Sequence, residues 1–385
     1  MQKQIKKIIN FLSINLKTTD IILLILTISA SLLSLLLTLS LYSFKSISSM
    51  RPFIIQIATT SFGFITAIVI SNINYHKIIK AWKPIAILAC SINLLLFPFG
   101  NLRGGNNLSG TETGSDNLNW LNFGFTTIQP SEFLKIAFII TFAFHCSMVC
   151  HKINEPKTFI KLIAHTMVPV LIIFLQKDYG TMLIFIFIAA CMIFISGINW
   201  KFITITAGVS LLLLTIFLTT VISDFRLKRF VVLGDLEKFK DGEGFQQYRG
   251  IISLASGKIF GKGFFSDNML NAPELYNDMI FAHIGQTMGF IGCTLILIWF
   301  VTICVRILQH GKNSQDNLGY LICVGCFAVF FIQTIINISM VLRIAPVIGI
   351  NLPFLSNGGS SNLTNYIILG LILSVQKHSF KPTLF

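Results

Sequence analysis

Long apolar stretches follow one another along most of this chain, and they limit its fold more than any other feature. A membrane-spanning helix needs about 20 consecutive apolar residues. The sequence therefore predicts ten spans, with approximate bounds 21–42, 53–73, 84–99, 133–150, 158–175, 181–199, 202–222, 281–305, 318–341 and 361–376. Helices suit such runs because they satisfy their own backbone hydrogen bonds in lipid. We expect an all-α polytopic membrane protein with a single domain over residues 1–385.

The composition excludes several other classes of protein. Hydrophobic residues make up 54% of the chain and charged residues 11%, whereas soluble domains carry about 25% charged residues. The formal net charge of +14 comes from scattered Lys and Arg residues, with no basic run interleaved with aromatic residues, so we expect no nucleic-acid partner. Residues 1–19 are basic and polar, and the apolar run after them is too long for a signal peptide. The eight cysteines lie in or beside apolar segments, which implies no disulfide framework.

The distribution of basic residues predicts the orientation of the chain. Fifteen Lys and Arg residues lie at the termini and in one alternate set of loops, whereas the opposite short loops hold five, namely Lys45, Arg51, Arg103, Lys177 and Arg343. Because basic loops stay in the cytoplasm, we expect the 1–19 segment and the 377–385 tail on the cytoplasmic side. The 100–130 and 223–278 loops then face outward. No Walker A sequence is present, so the outward loops are not expected to use a nucleotide.

The longest polar stretch, Ser223 to Asp278, separates the seventh and eighth predicted spans. Irregular backbone in such a chain is tolerated only outside the hydrocarbon or along a polar cavity. The stretch ends with the Asp278 carboxylate, where the chain re-enters the membrane, and this residue is our main catalytic candidate. The segment Gly257–Gly263 offers backbone that can approach a phosphate, although it matches neither a P-loop nor a dinucleotide fingerprint.

Two further segments carry polar residues beside predicted spans. After the 100–130 loop, Ser131 is expected to cap a helix whose first turn contains Glu132, and Lys135 lies three residues further on the same face. This pair either stabilises the helix or lines the edge of a polar cavity. In the 346–361 loop, prolines and glycines exclude a regular helix, so we expect the edge of a site there.

Several stretches resemble the SEDS proteins, which are the RodA/FtsW group of peptidoglycan polymerases. The matching stretches are Gln129-Pro-Ser-Glu132 with Lys135, Lys177-Asp178-Tyr-Gly180-Thr181, Phe245-Gln246, Ser256-Gly257 with Gly261-x-Gly263, Pro273-Glu274 through Phe281, and Leu352 through Ser361. They occur in the family's order and cover nearly the whole chain. The resemblance leans toward the RodA type through Asn337-Ile-Ser-Met340 and Pro346-Val-Ile-Gly349.

The resemblance implies an enzyme that polymerises lipid II at the outer face of the bacterial cytoplasmic membrane. It assigns Asp278 as the general base for the acceptor hydroxyl. The residues it assigns to substrate binding are Glu132, Lys135, Asp178, Arg226, Arg229, Gln246, Arg249, Ser356 and Ser360. A divalent cation, Mg²⁺ or Mn²⁺, is a further expectation, with Asp278, Asp178 and Glu132 as its candidate ligands. The expected partner is a class B penicillin-binding transpeptidase.

The sequence departs from the family pattern close to its proposed base. Tyr276-Asn277 replaces the usual His-Thr, Gln286-Thr287 replaces a Glu-Glu pair, and Asn357 replaces a tyrosine. Two alternatives stay open beside the polymerase. One is a lipid II flippase, because ionisable residues and broken loops near the membrane also suit a transporter. The other is a non-catalytic scaffold that recruits a transpeptidase, which these departures favour.

Overall fold

The computed structural model describes residues 20–44, 46–47, 49–97, 119–122, 127–208, 229 and 231–379. Its helices are α1 (Ile21–Ser43), α2 (Arg51–Ser71), α3 (Tyr75–Lys80), α4 (Trp82–Leu94), α5 (Pro130–Val149), α6 (Pro156–Leu175), α7 (Tyr179–Ile195), α8 (Phe245–Ser256), α9 (Ile280–Lys312), α10 (Asn317–Val341) and α11 (Gly359–Ser379). Residues 200–208 are also helical.

The predicted class is confirmed, because the described chain is a bundle of apolar helices. Six of them are long and apolar enough to cross a membrane, and α4 and α7 are shorter apolar helices. Most of the predicted 202–222 span lies outside the described residues, so the count of ten spans stays a prediction. One small departure from the all-α expectation is a hairpin of β1 (Leu121–Asn122) and β2 (Thr127–Ile128), which pairs Leu121 with Ile128.

Short polar side chains begin several of the spans. Asp20, Asp178 and Asp316 each accept a hydrogen bond from a backbone N–H in the first turn of α1, α7 and α10. These caps satisfy donors that a helix start leaves unpaired. The prediction that Ser131 caps the helix is wrong. Helix α5 begins at Pro130, so Ser131 lies inside its first turn. Proline suits this first position because its φ is already close to the helical value.

Helix α10 forms the centre of the bundle and is the most buried of the spans. It packs against α5, α7, α9 and α11, while α11 lies along α2. The close approach of α2 and α11 depends on glycine, because a Cβ at Gly63 would overlap the ring of Tyr366. The eight cysteines are free, as expected.

The two ends of the described chain lie at the same end of the bundle. The backbone N–H of Asp20 donates to Gln376 Oε1 over 3.1 Å, and the Asp20 carboxylate lies 2.8 Å from His310 Nε2 and 3.8 Å from Arg306. The start of α1 and the ends of α9 and α11 therefore meet at one charged face. The Asp278 carboxylate lies at the opposite end of α9.

Helix α9 is interrupted at Gly289, whose φ of 67° and ψ of −164° are not helical. The interruption leaves four backbone groups without their usual intrahelical partners. The polar stretch supplies all four partners: Phe290 N donates to Lys258 O, Ile291 N to Ile259 O, Lys262 N to Gln286 O and Gly263 N to Thr287 O, over 2.9 to 3.2 Å. The segment 257–263 thus replaces the missing turn of helix bonds.

The polar stretch differs from the sequence-based expectation in two ways. It contains helix α8, which was not predicted. The segment Gly257–Gly263, which the sequence offers only as a weak phosphate site, forms a contact with α9, because a Cβ at Gly257 or Gly261 would overlap backbone atoms of Gly285 and Thr287. The glycines therefore admit the backbone of another segment rather than a ligand.

Candidate functional site

Asp278 lies just before α9 and is 8% exposed. The side-chain amide of Gln246, on α8, donates to its carboxylate oxygens over 3.3 and 3.4 Å. The Asn337 amide, on α10, donates to the backbone oxygens of Asp278 and Ile350 over 2.8 and 2.7 Å. Thus α8 contacts the carboxylate, α10 holds the Asp278 backbone, and the loop after α10 is bonded to the same Asn337 amide.

The surroundings of Asp278 favour its protonated form. Burial raises the pKa of Asp278 to about 7, and the neighbouring Glu274 carboxylate acts in the same direction. The Gln246 hydrogen bond and the charge of Arg229 lower the pKa, but they do not compensate for burial. Burial also raises the pKa of Tyr276 to about 12, so its phenol adds no charge near neutral pH. Asp278 can therefore both accept and release a proton near neutrality.

The loop between α10 and α11 is irregular, as predicted, and it encloses the Asp278 site. A Cβ at Gly349 would lie 3.9 Å from Asp278 Oδ2. Ser356 Oγ donates to Asn277 O over 2.6 Å, and Asn357 N donates to Tyr276 O over 2.7 Å. These two contacts attach the loop to the residues immediately before Asp278.

The candidate substrate residues Ser356 and Ser360 have partners within the protein. Besides donating to Asn277, Ser356 Oγ accepts from Leu352 N over 2.8 Å. Ser360 Oγ accepts from Gln129 N over 3.2 Å, which joins α11 to the start of α5. Both serines hold loop backbone in place beside the site.

Asp178 lies in a second polar group, which also contains Asn119, Gln129 and Thr181. Its Oδ2 accepts from the Asn119 and Gln129 side-chain amides and from Thr181 Oγ1, each over 2.9 Å. The group joins the start of α5 to the start of α7. The 346–351 segment lies between it and Asp278, since a Cβ at Gly180 would lie 3.1 Å from Ile348 O.

Glu132 and Lys135 form the predicted ion pair, with Lys135 Nζ 2.9 Å from Glu132 Oε2. The two side chains are only 8% and 1% exposed. Thr364 Oγ1 also donates to Glu132 over 3.0 Å, so the pair connects α5 to α11. Of the two interpretations of this pair, the stabilising one accounts for every contact that the described residues give it.

Replacing Lys135 by Met should destabilise the fold, because it leaves a buried carboxylate without its cation. A broken buried pair costs about 3–5 kcal/mol, whereas neutral residues at both positions are often tolerated. The double variant E132Q/K135M should therefore unfold at a higher temperature than K135M. Thermal unfolding in detergent measures both effects.

The exposed pair Glu237–Lys240 is the matched control, since it has the same spacing and a 3.0 Å contact. Its K240M variant should unfold close to the wild-type temperature, because water screens exposed charges. Equal destabilisation by K135M and K240M would contradict the structural role of the buried pair.

The candidate cations occupy different positions. Arg229 donates to Val347 O over 2.9 Å and acts electrostatically on Asp278. Arg249 lies on α8 with its guanidinium carbon 5.9 Å from the Phe245 ring centre, and its Nε has no hydrogen-bond partner among the described residues. Arg226 lies outside the described residues. Arg229 thus acts on Asp278 directly, whereas Arg249 lies three residues after Gln246 on the same helix.

The three candidate metal ligands do not form a common donor set. Asp178 is surrounded by amide and hydroxyl donors, and Glu132 faces an ammonium group. Within the described residues, no group of three or more His, Cys, Asp or Glu side chains is arranged to hold an ion. Asp278, Asp178 and Glu132 therefore do not fit one shared metal ion, although carboxylate oxygen is the donor that Mg²⁺ and Mn²⁺ prefer.

Sequence reasoning missed Asn337 and Glu274 as neighbours of Asp278, and Gln247 as the anchor of α8. Gln247 Nε2 donates to Met340 O and Ala345 O over 2.7 and 3.0 Å, which fixes α8 against the end of α10. Asn337 could have been found, because an uncharged amide inside an apolar span needs a polar partner. No comparable pattern identifies Gln247, which lies in the polar stretch.

Comparisons with known proteins agree with this architecture. The profile of the FtsW, RodA and SpoVE family, described as cell cycle protein, matches residues 17–381. Stage V sporulation protein E of Bacillus subtilis (strain 168) is 31% identical over 333 residues, covering 84% of this chain and 86% of that protein. Peptidoglycan glycosyltransferase MrdB of Escherichia coli (strain K12) is 26% identical over 331 residues, covering 84% and 85%.

Two solved structures share the fold. A chain from a structure described as the coordination of polymerization and crosslinking by a peptidoglycan synthase complex aligns with a TM-score of 0.75 at 18% identity, covering 94% of this chain and 99% of that chain. The rod shape determining protein RodA of Thermus thermophilus aligns with a TM-score of 0.67 at 18% identity, covering 94% and 98%. The chain belongs to the FtsW/RodA/SpoVE family of integral membrane proteins.

Proposed function

We propose that this protein is a peptidoglycan glycosyltransferase that polymerises lipid II into glycan strands at the outer face of the bacterial cytoplasmic membrane. The observation that carries the proposal is the buried Asp278 carboxylate, which accepts from Gln246, is influenced by the charge of Arg229 and has a pKa raised by burial to about 7. Family membership supports the reaction class, because relatives such as MrdB are named peptidoglycan glycosyltransferases.

In the proposed reaction, Asp278 accepts the proton of the acceptor sugar hydroxyl. The hydroxyl oxygen bonds to the anomeric carbon of the donor as the bond from that carbon to the lipid pyrophosphate breaks, which inverts the configuration. A general base works best when its pKa lies near the working pH. Gln246 and the Asn337 contact hold the carboxylate in one place, so the acceptor meets a fixed base.

The leaving pyrophosphate needs positive charge as the bond breaks. Arg229, whose charge acts on Asp278, is the first candidate for this role, and Arg226 and Arg249 stay further candidates. Lys135 is a weaker candidate than the sequence implied, because it already neutralises Glu132. A divalent cation stays a prediction, and no step of the reaction is assigned to it. Removing the cation with EDTA should slow polymerisation, and added Mg²⁺ or Mn²⁺ should restore the rate.

The same proposal places both termini in the cytoplasm and the Asp278 end of the bundle outside. The contact of Asp20 with Gln376 supports a common side for the two ends of the chain.

A class B penicillin-binding transpeptidase is the proposed partner, since a similar solved chain comes from a synthase complex that polymerises and crosslinks. We also propose the elongation role of the RodA type, which complementation of strains depleted of elongation or division polymerase would test.

Purified protein, alone and with its cognate transpeptidase, should convert lipid II into glycan polymer that can be sized on a gel. The absence of polymer under every partner and metal condition would contradict the proposal. Transfer of lipid II between vesicle leaflets without polymer would favour the flippase. The scaffold would be favoured if polymer forms only when the transpeptidase is present and if the D278A variant supports as much polymer as the wild type.

The departure at Gln286 has a structural explanation and is not expected to limit turnover. Gln286 is fully buried, and its amide lies 2.8 Å from Ser253 Oγ and beside the Leu270 backbone. A glutamate there would place one carboxylate oxygen against the Leu270 carbonyl and bury a negative charge at a fully buried position.

Q286E should therefore lower the unfolding temperature at neutral pH and leave the polymerisation rate of the folded fraction no higher than wild type. Thermal unfolding and the lipid II assay measure the two quantities. A faster rate would mean that this departure limits the enzyme.

A further inference from the structure

An apolar surface surrounds the point where the 257–263 segment docks on α9. Five large apolar side chains form it, and we call them the apolar tip: Ile259, Phe260, Phe265, Phe290 and Ile291, with exposed fractions of 57%, 80%, 57%, 69% and 43%. The backbone bonds of Lys258 and Ile259 to Phe290 and Ile291 hold the loop and helix parts of the tip side by side. The apolar tip is thus continuous with the spanning helix.

The lengths of two helices give the distance between the charged face and the apolar tip. Phe290 precedes Arg306 by 16 residues, which is about 24 Å of helix. Ser40, whose hydroxyl donates to Phe264 O, follows Asp20 by 20 residues, or about 30 Å. Asp20 and Arg306 are themselves neighbours at the charged face. Since the hydrocarbon is about 30 Å thick, both measures place residues 259–265 at its far boundary.

The polar residues beside the tip are of the kinds found at the boundary between hydrocarbon and headgroups. Lys258 is exposed at one side, and Lys262 at the other side donates to Asn268 O over 2.7 Å. Lysines beside a membrane surface keep their apolar stems in the lipid and their ammonium groups among the headgroups. Asp267 and Asn268 are exposed further along the loop, and a charged residue such as Asp267 favours the aqueous phase.

We propose that the apolar tip is a membrane-inserted anchor of the polar stretch, with Ile259 and Phe260 in the acyl chains of the far leaflet and Lys258 at its headgroups. The occupant of this surface is lipid, because the tip continues the exposed apolar side of α9 and reaches the hydrocarbon boundary when measured along both α1 and α9. The anchor keeps the docked segment on the α9 interruption, and through α8 it holds Gln246 at a fixed depth beside Asp278.

Tryptophan fluorescence in nanodiscs tests the proposal without using enzyme activity. Single variants F260W, F290W and D267W are compared with the parent, whose four native tryptophans give a constant background. Lipids brominated along their acyl chains quench only tryptophans that contact those chains. The added fluorescence of F260W should be quenched to at least half the extent of F290W, and that of D267W should not be quenched.

Unquenched F260W fluorescence beside quenched F290W would overturn the proposal, and so would equal quenching of F260W and D267W. If F260W is not quenched by the brominated lipid and its fluorescence changes only when the transpeptidase is added, the surface contacts a protein and the proposal is wrong. Phe260 is mostly exposed and Trp is similar in character, so F260W is expected to fold. A second arm, F260S, should leave the protein folded and increase hydrogen exchange at 257–263, whereas unchanged exchange would contradict the anchor.

Discussion

Replacing Asp278 by Asn should lower the rate of lipid II polymerisation by about 10²- to 10⁴-fold, the contribution expected of a general base. Asparagine preserves the size of the side chain and can still accept from Gln246, but it cannot take the acceptor proton. The assay is gel sizing of glycan products from purified protein. D267N is the matched control, because Asp267 is an exposed carboxylate of the same polar stretch and should be replaceable without loss of rate.

The same variant should be more stable than the wild type at neutral and alkaline pH. Burial raises the pKa of Asp278 from 3.8 to about 7, so the folded state retains a proton that the unfolded state releases. The wild-type protein therefore loses stability as pH rises from about 4 to about 7, by a few kcal/mol at most. D278N avoids this loss, so its advantage in unfolding temperature should be larger at pH 8 than at pH 5.

If D278N is inactive and more stable than the wild type, Asp278 serves the reaction at a cost in stability. An inactive variant that is less stable at pH 8 would point instead to a structural role for the carboxylate. Retained polymerisation would remove Asp278 from the proposed chemistry altogether.

Gly261→Ala should destabilise the protein far more than Gly263→Ala. Both glycines have positive φ, 81° and 86°, so each alanine carries a similar backbone strain of about 1–2 kcal/mol. Only Gly261 faces the α9 backbone, where a Cβ would overlap the Thr287 carbonyl; a Cβ at Gly263 meets nothing within 4 Å. G261A should therefore also break the bonds that cover the Gly289 interruption.

The lost bonds are costly because an unsatisfied backbone group in lipid costs several kcal/mol. Thermal unfolding should show a large decrease for G261A and a small one for G263A. Polymerisation should fall with G261A as α8 and Gln246 lose their position. Similar behaviour of the two variants would mean that the docked segment contributes little to the fold.

The sequence predicted the membrane class, the approximate bounds of the described spans and the position of Asp278, because these depend on apolar run length and local pattern. It also predicted the Glu132–Lys135 pair, since residues three apart share a helix face. Family resemblance identified the stretches around Gln129, Asp178 and Ser356, which the structure brings to the same end of the bundle.

The interruption of α9 could not be read from the sequence, because Gly289 lies in a run of otherwise helical composition. The four hydrogen bonds join residues that are 24 or 32 positions apart, so the exchange is a tertiary effect. The position of Asn337 across from Asp278 depends likewise on the packing of α10 against the start of α9. Local patterns do not encode such pairings, which is why the glycines of Gly257–Gly263 indicate only backbone that can approach a ligand closely and not the segment that they contact.

The pH dependence of polymerisation tests the central claim most directly, because it reports the protonation of the base in the working enzyme. Asp278 must be deprotonated to accept the acceptor proton, so the rate should rise as pH increases and reach half its plateau at about pH 7. Transpeptidase, lipid and metal concentrations are held constant, and the residual rate of D278N should lack this rise. A wild-type rate already at its plateau at pH 5, as for an ordinary aspartate, would contradict the account.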